Sequence, residues 1–320
     1  MYILIIYLFI FKFDINTTIM SFNPADNIQD LQNFGEFGGV NPSISDSSTY
    51  TFMAAKTMAD TFEGNTDGCH LYSRHTTPSN LCLGEALAAM EGTETANVSA
   101  SGMGAITPVL LQLCGAGDHI VSSRTIYGGT YAFLKNFTPR LAIQTSFVDI
   151  TNLEIVEAAI TENTKVLYCE SVSNPLLEVA NIKGLAALAK KYSLTLVVDN
   201  TFSPLSISPI QLGADVVVHS LTKFINGSSD AVGGVVCGSQ EFIDQLRSVI
   251  DGACMLLGST MDSLRASSIL KNLRTLHIRM KQHSYNASYL ANKFEADGIK
   301  TVYPGLESHP SHPLFTSMMN

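Results

Sequence analysis

The sequence predicts an α/β fold in which a mostly parallel sheet is covered by helices, and three observations lead there. The runs 166–169, 194–198 and 216–218 are short, apolar and rich in residues that favour strands, as buried strands are. A helical stretch at 182–191 separates the first two, and parallel neighbours need such a crossover. With 46% hydrophobic and 15% charged residues in a chain of 320, there is enough apolar surface to bury a sheet on both faces.

The elements follow in chain order. Residues 1–19 begin with an almost unbroken apolar run to Phe11, followed by Lys12 and Asp14. The run is shorter than the roughly 20 residues a bilayer span needs, and no basic residue precedes it and no small-residue cleavage pattern follows it. Met20 opens a polar segment, so 1–19 reads as a start-site artefact rather than an anchor, and a cytoplasmic protein is expected. Residues 20–80 are rich in Asn, Ser, Gly, Thr and Asp with weak periodicity, the texture of an arm that packs on a neighbour. The sheet domain is placed at 81–268, with helices at 85–90, 106–113 and 153–160 and a strand at 119–122. In 269–320, Ile269, Leu273, Leu276 and Met280 form one face of a long helix, with Arg265, Lys271, Arg274 and Lys281 on the other. That helix is expected to link the sheet to a second α/β domain, of which only the start fits before Asn320.

Charge and cysteine usage narrow the function. A net charge of -9 has the wrong sign for a phosphate-backbone binder, so nucleic acid is not an expected partner. Six scattered cysteines without a CxxC pair read as reduced thiols. Cys69, His70 and His75 have no second cluster at zinc-site spacing, so no metal is expected.

The chemistry concentrates in Leu196-Val-Val-Asp199 and His219-Ser220-Leu-Thr222-Lys223, each at the end of a predicted strand. Ligands of open α/β sheets sit at the carboxyl ends of strands. An Asp and a Lys placed there are the two groups a pyridoxal phosphate site needs: Lys223 for the Schiff base, and Asp199 to hold the protonated pyridine nitrogen so that the ring remains an electron sink. The hydroxyls of Ser220 and Thr222 flank the lysine as phosphate ligands. Ser101-Gly102-Met103-Gly104 opens a helix with small residues that let backbone N–H groups approach a phosphate.

These segments, with Tyr72-Ser-Arg74, Thr125-Ile-Tyr127-Gly-Gly, Glu170-Ser-Val-Ser-Asn174-Pro and Val198-Asp199-Asn-Thr201, resemble in content and order the Cys/Met metabolism, or transsulfuration, family of pyridoxal phosphate enzymes. The resemblance implies the fold-type-I transferase fold, a homo-oligomer built as a dimer of dimers, and active sites shared across the dimer interface. It makes Lys223 the cofactor lysine and proton shuttle, and Asp199 the partner of the pyridine nitrogen. Gly102, Met103, Ser220 and Thr222 become phosphate ligands from the same subunit, and Tyr72 and Arg74 phosphate ligands from the neighbour's arm. Tyr127 becomes the ring-stacking residue and general acid, and Asn174 the contact to the ring's phenolic oxygen. The implied activity is carbon–sulfur bond cleavage in a small sulfur amino acid. The motifs are most similar to those of methionine γ-lyases, which release methanethiol, 2-oxobutanoate and ammonia, with cystathionine γ-lyases and O-acetylhomoserine sulfhydrylases as alternatives. Gly129 stands where many methionine γ-lyases carry a cysteine. The family's carboxylate-binding Ser and Arg would fall beyond Asn320, so the chain is expected to be C-terminally truncated, and an inactive cofactor binder is a further alternative.

Overall fold

Strands Thr95–Ser99 (β1), His119–Ser123 (β2), Gln144–Val148 (β3), Thr164–Glu170 (β4), Thr195–Asp199 (β5), Val216–Ser220 (β6) and Gly234–Gly238 (β7) form one sheet in the order β1-β7-β6-β5-β4-β2-β3. The computed structural model describes residues 22–31, 35–52, 54–63 and 69–320; the expected extension 1–19 lies outside them. Strands β2 to β6 pair in parallel, whereas β7 runs antiparallel to both β1 and β6. The mostly parallel sheet is thus present, with one reversed strand inside it.

Period-two alternation sends successive side chains to opposite faces, and both faces are buried. Val198, Val217 and Val235 enter one core with Leu83 and Leu87 of helix Pro78–Glu91 (α3, following α1 Pro24–Asp30 and α2 Ala55–Phe62). Val197, Val218 and Val236 enter the other with Ile106, Val109 and Leu110 of helix Gly102–Leu113 (α4). Local chemistry sets the helix ends. The Thr77 hydroxyl accepts from Asn80 N at 3.2 Å ahead of Pro78, and Gly92 closes α3 in the left-handed region at φ 76. Short helix α1 docks on α3 through buried Ile28 and through Asn27 Nδ2, which donates to Ala89 O at 3.1 Å.

The expected long helix is two helices, Ser263–Leu273 and Leu276–Ala296. In a continuous helix Asn272 O would accept from Leu276 N. Here it accepts instead from Thr275 N at 3.2 Å, Thr275 Oγ1 at 3.1 Å and Arg279 Nη2 at 2.9 Å, which stops the ladder at Arg274. The apolar stripe survives the break: Ile269, Leu273, Leu276 and Met280 are all buried in the first core.

Candidate active site

The carboxyl ends of β4, β5 and β6 and the amino end of α4 open on a cavity of about 1290 Å³. Gly102, Met103, Tyr127, Asn174, Asp199, Ser220, Thr222 and Lys223 line it together, so eight of the ten residues singled out from the sequence meet at one place.

Two carboxyls stand side by side because β4 and β5 pair Glu170 with Asp199. Asp199 is buried at the last position of β5; its Oδ1 accepts from Thr201 N at 2.9 Å, and its Oδ2 has the Tyr168 hydroxyl at 3.5 Å. Burial raises its pKa above the usual carboxylate range, against the opposing pull of the Thr201 hydrogen bonds. Glu170 is pushed up to about 7 by burial and then by the Asp199 charge, while N–H groups of Tyr127 and Asn174 hold it down. Those N–H groups donate to Oε1 at 2.6 Å and Oε2 at 3.0 Å, so a single carboxylate ties together the two loops that carry Tyr127 and Asn174.

Lys223 is exposed in the turn after β6. Arg279 braces that turn, its guanidinium donating to Phe224 O, to Ile225 O at 2.9 Å and to Asn272 O at 2.9 Å. Ser220 N donates to Thr201 Oγ1 at 2.7 Å, and Thr222 Oγ1 accepts from Gly233 N at 3.1 Å. The glycine at 102 is a packing requirement: a Cβ there would lie 2.8 Å from Ser220 Cβ and 3.0 Å from its Oγ. Ser101 caps α4 by accepting from Gly104 N at 2.9 Å, and the other early N–H groups of the helix, Gly102 and Met103, lie at the cavity wall with the positive end of the helix dipole.

Tyr72 and Arg74 lie elsewhere in their own subunit. Arg74 Nη1 donates to Met255 O at 2.6 Å, and its guanidinium carbon sits 5.5 Å from the Tyr72 ring centroid, away from the cavity lining. Glu170, Tyr168 and Arg279 carry geometry that no sequence assignment anticipated. The placement of Glu170 at a strand end level with Asp199 was the available signal; nothing in the sequence indicates that Arg279 turns back onto the lysine loop.

The pattern of the Cys/Met metabolism PLP-dependent enzymes matches residues 26–320. The chain belongs to that family. Among curated relatives, methionine gamma-lyase of Arabidopsis thaliana is 46% identical over 93% of this chain and 69% of its own length. O-succinylhomoserine sulfhydrylase of Pseudomonas aeruginosa is 42% identical over 83% of this chain and 66% of its own. A Campylobacter jejuni protein assigned as an O-acetylhomoserine (thiol)-lyase, solved with pyridoxyl-lysine monophosphate, superimposes with a TM-score of 0.85 at 30% identity, covering 94% of this chain and 83% of that one. The fold is therefore the fold-type-I fold of these enzymes, and pyridoxal phosphate is the family's cofactor.

The residues at the cavity fit that group. A buried carboxylate oxygen with a single distant donor suits a protonated ring nitrogen, and a cation there would relieve the mutual repulsion of Asp199 and Glu170. The helix end at Gly102, packed too tightly against Ser220 to admit a side chain, suits a phosphate.

Proposed function

We propose that this chain is a carbon–sulfur lyase of sulfur amino-acid metabolism that cleaves L-methionine by α,γ-elimination, consuming water and releasing methanethiol, 2-oxobutanoate and ammonia. The observation that carries the reading is the convergence of Lys223, Asp199 and Tyr127 on one cavity beside the α4 amino end; the 46% identity to a methionine gamma-lyase supports the substrate. When bound, pyridoxal phosphate supplies the electron sink for the pair left behind at Cα. Asp199 holds the ring nitrogen as a cation, Asn174 contacts the phenolic oxygen, and the Gly102 and Met103 N–H groups with the Ser220 and Thr222 hydroxyls hold the phosphate. The Lys223 amine, carried on an exposed side chain, takes the proton from Cα, and a second abstraction at Cβ prepares the sulfur to leave. Tyr127, half-exposed at the cavity wall with its backbone fixed by Glu170, protonates the departing thiol.

In this reading residues 20–80 form an arm that brings Tyr72 and Arg74 to a neighbour's phosphate, 81–268 bind the cofactor, 269–320 hold the linking helix and the start of the C-terminal α/β domain, and the assembly is a cytoplasmic dimer of dimers. Arg suits that task through its permanently charged planar fork. Among the described residues no helix is long and apolar enough to cross a membrane.

The second reading is replacement at the γ-carbon of an acylated homoserine, favoured by the relative at 42% identity and by Gly129. A Cβ at 129 would lie 2.6 Å from the Tyr127 ring, so this glycine lets the ring sit where a side chain would displace it. Cofactor-loaded protein given L-methionine alone should release methanethiol and 2-oxobutanoate in equal amounts. Turnover only with an acylated homoserine and an added thiol or sulfide would establish replacement instead.

A further inference from the structure

Each of the three strand ends that line the cavity has a sequence neighbour on the opposite face of the sheet. Ser171 follows Glu170, Asn200 follows Asp199, and His219 precedes Ser220. The three neighbours join one buried network with Glu91 of α3. Asn200 Oδ1 accepts from Ser171 Oγ at 2.7 Å and Ser203 Oγ at 2.9 Å, while its Nδ2 donates to Ile207 O at 2.8 Å and to Glu91 Oε1 at 3.4 Å. Glu91 Oε1 in turn lies 2.7 Å from His219 Nε2. Glu91, Ser171, Asn200 and His219 are all at most 1% exposed.

Stability alone does not account for this arrangement. Buried ionisable pairs are commonly matched or exceeded in stability by apolar residues of similar volume. Here Glu91 Oε2 and His219 Nδ1 are buried without a hydrogen-bond partner, which adds a desolvation cost. Hydrogen bonds are directional where apolar packing is not, so the network's distinct effect is to lock the ends of β4, β5 and β6 to one another and to α3. We propose that Glu91, His219 and Asn200 are positioning residues: from behind the sheet they fix how Glu170, Asp199 and Ser220 are set around the cofactor. The proposal rests on the reading of the cavity as the cofactor site.

The test compares cofactor binding with stability. In the double variant Glu91→Met/His219→Leu the pair becomes apolar at similar volume. Its apo melting temperature should stay close to wild type, while its dissociation constant for pyridoxal phosphate rises about tenfold or more and the absorbance maximum of the bound cofactor shifts. Val217→Ala, in the same core on β6, should do the reverse, lowering the melting temperature with affinity and spectrum unchanged. Wild-type affinity and spectrum in a folded double variant would overturn the positioning role. If the double variant does not fold, Glu91→Gln carries the same expectation at smaller size, and unchanged affinity there would overturn it equally. Asp199→Asn, run in parallel, separates the two claims. Weakened binding in Asp199→Asn alone rejects the network's role, whereas wild-type binding in both rejects the cavity reading and the proposal with it.

Discussion

Replacing Gly102 by alanine adds one methyl group at the tightest point of the proposed phosphate cradle and changes no charge. The added Cβ would lie 2.8 Å from Ser220 Cβ, 3.0 Å from its Oγ and 3.2 Å from its Cα. Carbon–carbon contacts are optimal at about 3.5–4.0 Å, so the helix end and the end of β6 must part by roughly 0.7 Å or more. The contact is shared by the next strand, because Gly234 of β7 pairs with Ser220 and a side chain there would itself strike Ser101 O, so β6 and β7 both press on the α4 amino end. Overpacking of this kind costs about 1–3 kcal/mol. If that cost falls on the cofactor-binding geometry, the dissociation constant for pyridoxal phosphate rises about 5- to 150-fold at 1.4 kcal/mol per factor of ten. Absorbance titration of the apo protein measures it, with Gly115→Ala as control, since a Cβ there meets only Asp118 Oδ2 at 3.8 Å. Equal, wild-type affinity in both variants would refute the cradle at Gly102.

Three further outcomes are expected. Lys223→Ala should abolish turnover while leaving the melting temperature of the apo protein nearly unchanged, because the side chain is exposed; a large thermal loss in a scan would contradict that separation. Mixing inactive Arg74→Ala with inactive Lys223→Ala subunits should restore one intact site in each hybrid dimer, and no recovery in mixtures shown to have exchanged subunits would place the whole phosphate site within one chain. For Glu170, with a pKa raised from 4.5 to about 7, the folded apo state holds the proton more tightly than the unfolded chain. Stability should therefore fall as pH rises from about 4.5 to about 7 and level off above, and Glu170→Gln should flatten that slope in denaturant melts; an identical slope in the variant would reject the assignment.

What was legible in the sequence was the part governed by local pattern. Strands β4, β5 and β6 are legible because each contains a short apolar run buried on both faces, Asp199 because it follows such a run directly, and Lys223 because it falls in the turn just after one. Strands β1 and β7 are less so: Thr95-Ala-Asn-Val-Ser99 mixes polar and apolar residues, and Gly234-Val-Val-Cys-Gly238 is bounded by glycines that read as a loop. Their pairing joins residues far apart in the chain, Val98 with Val235 for example, and local pattern carries no such information. The helix break at Arg274 depends on competition for one carbonyl by Arg279, which periodicity does not register. At the site, Glu170 was legible as a strand-end carboxyl but its two backbone partners were not, because Tyr127 and Asn174 reach it only through the fold.

If Lys223 bonds the cofactor, reduction must fix the cofactor on that side chain. Protein loaded with pyridoxal phosphate is reduced with borohydride, digested, and mapped by mass spectrometry. A single pyridoxyl adduct is expected, on the peptide carrying Lys223 in the turn braced by Arg279. An adduct on another lysine, or none on any, would contradict it.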